Sequence, residues 1–144
     1  MSAEQNKAIV REFSEVLFNQ HRVDRTDETV APDYIDHAPL PGQAPGLEGA
    51  KQKWAMYVAA APDMCITIEE MVAEGDKVAV RWIVDGTHRG ELFGVPPTGN
   101  HLRFEGISIC RLADGKIAEQ FEQWDRLELM RQLGVAPTPA QATP

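Results

Sequence analysis

"MCITIEEMVAEGDKVAVRWIVDGTH", residues 64–88, is the stretch in which the hydrophobic pattern changes from helical spacing to strict alternation. Gly75 and Asp76 separate its two halves. Alternation on both sides of a Gly-Asp pair is typical of two antiparallel strands joined by a tight turn. One face of the second strand is expected to carry Val78, Val80, Trp82 and Val84.

The residues before this hairpin have the spacing of helices. An amphipathic helix is expected over residues 2–19, where Ser2 and Gln5 have the spacing of a capping box. A short helical segment is expected at residues 25–31. It should stop before Pro32, because the residue ahead of a proline is disfavoured in the helical conformation.

A third helix is predicted over residues 47–61, after a proline-rich loop at residues 32–46. Beyond the first hairpin, residues 90–100 are expected to form a rigid loop rich in glycine and proline. A second hairpin then turns at Asp114 and Gly115. Helices followed by antiparallel strands indicate an α+β fold, in which one sheet curls over a helical layer.

The chain length of 144 residues fits a single domain, which we assign to residues 1–134. Residues 135–144 contain three prolines and are expected to form a disordered tail. The formal charge of -8 disfavours nucleic acid and anionic membrane surfaces as partners. The sequence contains neither a secretion signal nor an apolar stretch long enough to span a bilayer, so a cytoplasmic protein is expected.

A two-residue turn in the last hairpin would pair Ala113 with Lys116 and continue outward without interruption. This register sets Asp125 opposite Phe104, at the end of the more apolar face, and turns Glu122 to the other face. The apolar residues of that outward face are Ile107, Ile109 and Trp124. Exposed apolar patches usually mark contacts, so a second copy of the chain is expected to cover this face.

Three motifs together resemble one protein family: "APDYIDHAP" at residues 31–39, the long segment at residues 59–100, and "DGKIAEQFEQWDRLELMRQLG" at residues 114–134. The chain is similar to the SnoaL-like polyketide cyclases, which belong to the larger group with the nuclear-transport-factor-2-like (NTF2-like) fold. The resemblance implies a cone-shaped α+β barrel, with a curved, mostly antiparallel sheet wrapped around three N-terminal helices and an apolar pocket inside. It also implies a homodimer joined through the sheet.

Characterised members of this family close the last ring of aromatic polyketides by an intramolecular aldol condensation, without a metal or an organic cofactor. Their acid/base is an aspartate on the late strand, and Asp125 is the matching residue by motif context. A small shift would assign Glu122 instead. His37, in the family-like "DYIDHAP", is expected to orient the acid/base or to share its proton. The family frequently has histidine and tryptophan where this chain has Gln120 and Phe121.

Each candidate also has a structural explanation. Asp125 precedes Glu128 at capping-box spacing, so it can start a helix, and the two roles can coexist. His37 can be a loop residue bonded to backbone, and His88 either lines the pocket mouth or is a solvated turn residue. The bulky residues either fill the core or wall a cavity. The candidate substrate-binding residues are Trp54, Tyr57, Trp82, His88, Phe93, Phe104, Ser108 and Phe121.

Three functional hypotheses follow. The first is a cofactor-independent cyclase or isomerase that acts on a small, largely apolar carbonyl compound. The second is a binding protein for an apolar metabolite. The third is an epoxide hydrolase of the same fold, which would need an Asp-Arg-Asp set such as Asp85, Arg81 and Asp125. No metal site is expected, because none of the four histidines has a partner at ligand spacing.

Overall fold

The computed structural model describes residues 1–135, and within them helices and strands follow the predicted order except for one additional strand at Val30–Asp36. The helices are α1 (Ala3–Ser14), α2 (Gly46–Ala60) and α3 (Arg126–Gln132), with a π-helical turn at Glu15–Asn19 and a 3-10 helix at Val23–Glu28. The strands are β1 (Val30–Asp36), β2 (Cys65–Glu74), β3 (Lys77–Thr87), β4 (His101–Ala113) and β5 (Lys116–Trp124). The tail predicted from residue 135 lies, beyond Val135, outside the described residues.

The five strands form one curved, open sheet in the order β1-β5-β4-β3-β2. β1 runs parallel to β5, and the other neighbours are antiparallel. Helices α1 and α2 pack on the inner face, where the largest hydrophobic cluster joins Phe13 and Trp54 to Val80 and Ile117. The predicted α+β fold, with N-terminal helices against a curved sheet, is therefore confirmed.

Local signals predicted α1 correctly. Ser2 caps the helix: the Gln5 backbone N–H donates to Ser2 Oγ at 3.1 Å, and the Ser2 N–H donates to Gln5 Oε1 at 2.8 Å. This reciprocal pair is a capping box. It satisfies two backbone N–H groups, those of Ser2 and Gln5, which would otherwise rely on water.

The loop predicted at residues 32–46 is wrong in its first part, because Val30–Asp36 form strand β1. Pro32 argued against a strand, but β1 is an edge strand, and an edge tolerates a residue that cannot donate to a ladder. The sequence also gives no local sign that β1 pairs with β5, since the two pair across more than eighty residues of chain. The short helix predicted at residues 25–31 begins and ends earlier, as a 3-10 helix.

The last hairpin begins as predicted. Asp114 and Gly115 both have positive φ (52° and 77°), which is the geometry of a two-residue hairpin turn, and Ala113 pairs with Lys116. The register then changes. Leu112 pairs with Ile117, but Arg111 pairs with Glu119. Ala118 is therefore an extra residue, a β-bulge, and every later residue of β5 faces opposite to the prediction.

Gly106 lies in β4 between two tryptophans. It pairs with Trp82 of β3 on one side and with Trp124 of β5 on the other. A Cβ atom added at Gly106 would lie 2.6 Å from Trp82 Cζ2 and 2.7 Å from the Gln123 backbone oxygen. Only glycine therefore lets both indoles stand side by side on the inner face.

The Gly106→Ala variant should lower the free energy of unfolding by about 1–3 kcal/mol, because the added methyl overpacks this position. Urea denaturation measures the change. Glu105→Ala, an exposed change in the same strand, is the control and should stay within about 0.5 kcal/mol of the parent. Equal stability of the two variants would contradict the packing role assigned to Gly106.

Candidate functional site

A cavity of about 80 Å³ lies between the inner face of the sheet and the helices α1 and α2. The predicted substrate-binding residues that line it are Trp54, Tyr57, Trp82, Phe104 and Ser108. Aromatic walls of this kind suit flat apolar rings. The volume is well below the ~300 Å³ of the smaller ligand pockets, so a single ring fits more easily than a polycycle.

The bulge at Ala118 decides that Glu122 faces this cavity, whose lining also includes Asp85 of β3. Beyond it, Gln120 pairs with Cys110, Glu122 with Ser108 and Trp124 with Gly106, and all three of these β5 side chains line the cavity. The predicted outward orientation of Glu122 and Trp124 is therefore wrong. A β5 strand without the bulge would have turned these side chains to the outer face.

Glu122 Oε2 takes part in a network of hydrogen bonds. Trp82 Nε1 donates to Ser108 Oγ at 2.9 Å, and Gln120 Nε2 lies 3.3 Å from both Ser108 Oγ and Glu122 Oε2. The Ser108 hydroxyl accepts from the indole, so its own proton is available to Glu122 Oε2, at a long 3.5 Å. The network orients the carboxyl group: Trp82 holds the Ser108 hydroxyl, and Ser108 in turn holds Glu122.

Burial raises the pKa of Glu122 above the ordinary value for glutamate. The positive charge of Lys53 opposes this shift, the negative charge of Asp36 adds to it, and the hydrogen bonds from Ser108 and Gln120 oppose it. Desolvation dominates, because the carboxyl group faces an apolar cavity and has few donors. A carboxyl group with a raised pKa is a stronger base when ionised and a usable acid when protonated.

Lys53 brings a positive charge to the same cavity, which sequence analysis did not predict. Its ammonium lies 2.6 Å from Asp36 Oδ2, and only 6% and 7% of the two side chains are exposed. Burial opposes ionisation of Asp36, but hydrogen bonds from Lys53, Gln43 and the Ala38 backbone outweigh it and lower the pKa of Asp36. Asp36 is therefore an ionised partner for Lys53.

Tyr34, which is buried, and Tyr57, which is half-buried, remain neutral, because burial raises the pKa of both phenols. Tyr57 lines the cavity. Tyr34 lies behind Gln120, with its hydroxyl donating to Gln120 Oε1 at 3.5 Å. Both therefore offer O–H donors rather than bases.

Asp125 does not line the cavity. Its side chain is exposed, and its Oδ1 accepts the Glu128 backbone N–H at 3.1 Å, which caps α3. The inward orientation predicted for Asp125 is thus wrong, and its capping geometry is confirmed. The Asp-Arg-Asp set is not assembled either, because Arg81 is exposed and lies 3.7 Å from Glu70.

His37 and Phe121 lie together on the outer face of the sheet. Their rings stack with centroids 3.9 Å apart and an interplanar angle of 3°. His37 Nε2 is 3.0 Å from Glu119 Oε2, and Phe121 is 49% exposed. Neither residue lines the cavity, so the predicted pocket positions of His37 and Phe121 are wrong. The bulge turns Phe121 outward, and His37, in the loop after β1, stacks on it there.

His88 is fully buried, which excludes a solvated turn residue. Its Nδ1 accepts the Thr98 backbone N–H at 3.2 Å and lies 2.9 Å from Thr98 Oγ1, so it fastens the loop that joins β3 to β4. Phe93, in that loop, packs edge-on against Tyr57 and under Arg126. Neither His88 nor Phe93 is part of the cavity wall, and their contribution is to hold the loop beside it.

Sequence reasoning therefore missed Lys53, Gln120 and Trp124 and misjudged the orientation of Glu122. One signal was available. Ile117 and Ala118 are consecutive apolar residues in a strand that otherwise alternates, and both are buried. Two adjacent buried residues in one strand are what a β-bulge produces.

A sequence model of the SnoaL-like polyketide cyclase family matches residues 8–133. The chain belongs to the SnoaL-like polyketide cyclases. Nogalonic acid methyl ester cyclase from Streptomyces nogalater is 32% identical over 122 residues, which are 81% of this chain and 89% of the relative. Aklanonic acid methyl ester cyclase DnrD from Streptomyces peucetius is 31% identical over 91% of this chain and 92% of the relative.

The solved structure of wild-type IdmH from Streptomyces antibioticus has the same fold as this family member. The TM-score is 0.78, with 34% identity over 91% of this chain and 99% of that structure. Within residues 1–135 of the SnoaL-like chain, no helix is long and apolar enough to cross a membrane. In the same residues, no three His, Cys, Asp or Glu side chains are grouped to hold a metal ion.

The Asp125→Ala variant of this family member should lower the free energy of unfolding by about 1 kcal/mol, because the Glu128 N–H loses its cap. Asp125→Asn keeps an acceptor and should change it by only a few tenths of a kcal/mol, roughly the difference between good N-caps. Thermal denaturation of both variants measures this. An alanine variant as stable as the asparagine variant would show that the cap contributes nothing.

Proposed function

We propose that this SnoaL-like protein is a cofactor-independent cyclase, with Glu122 as the acid/base of an intramolecular aldol ring closure. The observation that carries the proposal is a buried carboxyl group on the wall of an aromatic cavity, with a raised pKa. The family and its curated relatives are polyketide cyclases, which supports the reaction class. Asp125, the residue favoured by motif context, has its carboxylate bound to a helix N-terminus instead.

The reaction needs one positioned proton carrier. Ionised Glu122 takes a proton from a carbon next to a carbonyl group, and the electron pair of the C–H bond forms an enolate. The enolate carbon attacks a second carbonyl carbon of the same molecule, so a C–C bond forms and the carbonyl π pair moves to oxygen. That alkoxide takes the proton back from Glu122. Atoms and charge balance without a co-reactant. One carboxyl group carries out both proton transfers, first as the base and then as the acid.

The substrate class follows from the walls of the cavity and from the relatives. Two relatives are named as cyclases of acid methyl esters, nogalonic acid methyl ester and aklanonic acid methyl ester. We extend this class to the present chain as a polyketide-like ester with an activated carbon next to carbonyl groups. Such a molecule is larger than 80 Å³, so its binding requires movement of wall side chains.

The Glu122→Gln variant should lower kcat by about a hundredfold to ten-thousandfold, the usual contribution of a general base, while the fold and ligand binding persist. Glutamine keeps the shape and still accepts hydrogen bonds from Ser108 and Gln120. Turnover of nogalonic acid methyl ester, followed by absorbance and mass spectrometry, is the first assay. The matched control is Asp125→Asn, which should keep turnover; loss of activity in that variant alone would reverse the assignment.

The pH profile gives a second check of the same residue. A base must be ionised, so kcat/KM should rise with pH through the pKa of Glu122, at a pH above that of an ordinary glutamate. Below that pKa the carboxyl group is protonated and activity is lost. A profile that is flat down to the ordinary glutamate range would contradict a desolvated base.

A binding protein for an apolar metabolite is the second candidate function. It is favoured by Gln120, which is the polar neighbour of Glu122 in the cavity and cannot relay a proton. Long incubation of a bound compound with stoichiometric protein separates the two functions. A cyclase converts the compound, whereas a binding protein returns it unchanged.

We also propose that a second copy of the chain covers the outer face of the sheet. Four apolar residues with 43–52% exposure come together there through the strand register: Ile35, Ile107, Ile109 and Phe121. Soluble monomers rarely expose a contiguous apolar patch of this kind, and such a patch usually marks a binding surface.

The Ile109→Asp variant should shift the protein from dimer to monomer, because it puts a charge in the centre of this face. Sedimentation velocity measures the change at several concentrations. Leu127→Asp, at an exposed apolar residue of α3 and outside the sheet, is the control and should leave the dimer intact. A parent protein that sediments as a monomer would refute the proposed interface.

A further inference from the structure

The ammonium group of Lys53 has a partner on one side only. Its Nζ donates to Asp36 Oδ2 at 2.6 Å and to the Ala38 backbone oxygen at 3.2 Å. An ammonium group has three N–H donors. Within residues 1–135, the third donor of Lys53 has no protein acceptor among the hydrogen bonds of the structure.

The positive end of this ion pair faces the cavity. Lys53 is part of the cavity wall, whereas Asp36 lies behind it. Asp36 is held from the far side by the Ala38 backbone N–H at 2.8 Å and by Gln43 Nε2 at 3.0 Å. The pair is neutral as a whole, but its orientation gives the cavity a fixed local positive potential.

The effect of this pair on Glu122 supports the same orientation. The charges of Lys53 and Asp36 shift the pKa of Glu122 in opposite directions, and the effect of Lys53 is the larger. The ammonium of Lys53 therefore interacts more strongly with Glu122 than the carboxylate of Asp36 does. Glu122 and Lys53 both line the cavity, so a substrate bound there would meet a base that can remove a proton and a cation that can receive the resulting charge.

We propose that Lys53 is a catalytic residue that binds the developing enolate oxygen of the substrate, with Asp36 as its positioning residue. The inference rests on the proposed cyclase function. When Glu122 takes the C–H proton, the electron pair moves onto the carbonyl oxygen, and the third N–H of Lys53 donates a hydrogen bond to that oxygen. No proton leaves Lys53. A preorganised donor of this kind stabilises charge where it develops, in a site that excludes water.

The proposal defines a ligand class. The cavity should prefer the anion of an acidic aromatic or enolic compound over its neutral form, since a phenolate oxygen resembles an enolate oxygen in charge and size. A buried ion pair with only a structural role would not produce this preference, because both of its charges would be satisfied within the protein. Ionisation of a bound phenol therefore separates the two roles.

The probe is para-nitrophenol, a single ring that suits a cavity of about 80 Å³ and whose absorbance distinguishes phenol from phenolate. The pKa of the bound probe should be lower than that of the free probe by about one unit, which is a tenfold preference for the anion. The Glu122→Gln variant should show an equal or larger shift, because it removes a negative charge near the probe and leaves Lys53 in place.

The decisive variant is the double substitution Asp36→Asn with Lys53→Met. It removes both charges, so no buried carboxylate is left without a partner, and circular dichroism with a thermal melt verifies its fold. The tenfold preference should disappear in this variant. A preference that persists there would overturn the role of Lys53, and so would a parent protein that binds the neutral phenol as well as the anion.

The outcomes also separate this inference from the cyclase proposal. If Glu122→Gln keeps full turnover while the probe shift depends on Lys53, the assignment of the base fails and the anion site stands. If turnover depends on Glu122 but the probe shift survives the double substitution, the base stands and the role of Lys53 fails. A parent protein that does not bind the probe would overturn both the aromatic-anion site and the inference built on it.

Discussion

The pairing of β4 with β5, interrupted by one extra residue at Ala118, is the constraint on which the rest of the site depends. A strand has only two faces, so a single inserted residue moves every later side chain from one face to the other. Here the exchange turns Gln120, Glu122 and Trp124 toward the helices and turns Phe121 outward. The identity of the buried carboxyl group is thus decided by strand register rather than by any local motif.

Desolvation raises the pKa of the buried carboxyl group of Glu122, and the positive charge of Lys53 limits the size of this rise. An isolated carboxylate in an apolar cavity would be strongly disfavoured. Ser108 and Gln120 offer hydrogen bonds to one oxygen of Glu122, and Lys53 adds a positive charge without itself being a free cation, because Asp36 holds it. The result is a carboxyl group that remains more basic than usual but can still ionise.

Much of the fold could be predicted from the sequence because its signals are local. The capping box at Ser2, the positive-φ turn at Asp114 and Gly115, and the change to alternation at residue 64 each depend on a few neighbouring residues. The parallel pairing of β1 with β5 is not local, and Pro32 argued against it. The same limit applies to the site. Asp125 has a strong local signal as a cap, and the structure uses it as one.

The residues that the sequence could not identify are those whose role depends on distant partners. Lys53 lies on a helix beside the buried residues Ala50 and Trp54, but no acidic side chain within one turn indicates a partner for a buried ammonium. Its partner Asp36 comes from the edge strand, seventeen positions earlier in the chain. Glu122 faces outward in an uninterrupted register and inward only when the bulge is included. The alternation pattern contained one clue, the adjacent buried pair of Ile117 and Ala118.

The same bulge also links the two surfaces of the sheet. By turning Trp124 inward it completes an aromatic wall with Trp82 and Phe104, whose ring centroid lies 5.1 Å from that of Trp124. By turning Phe121 outward it adds an aromatic ring beside Ile109, its partner across the ladder. The bulge thus contributes one aromatic residue to each surface, Trp124 to the cavity wall and Phe121 to the exposed apolar face. A register that kept Ala118 as a paired residue of the ladder would turn Glu122 and Trp124 outward and Phe121 inward, so the bulge constrains the site and the proposed interface at once.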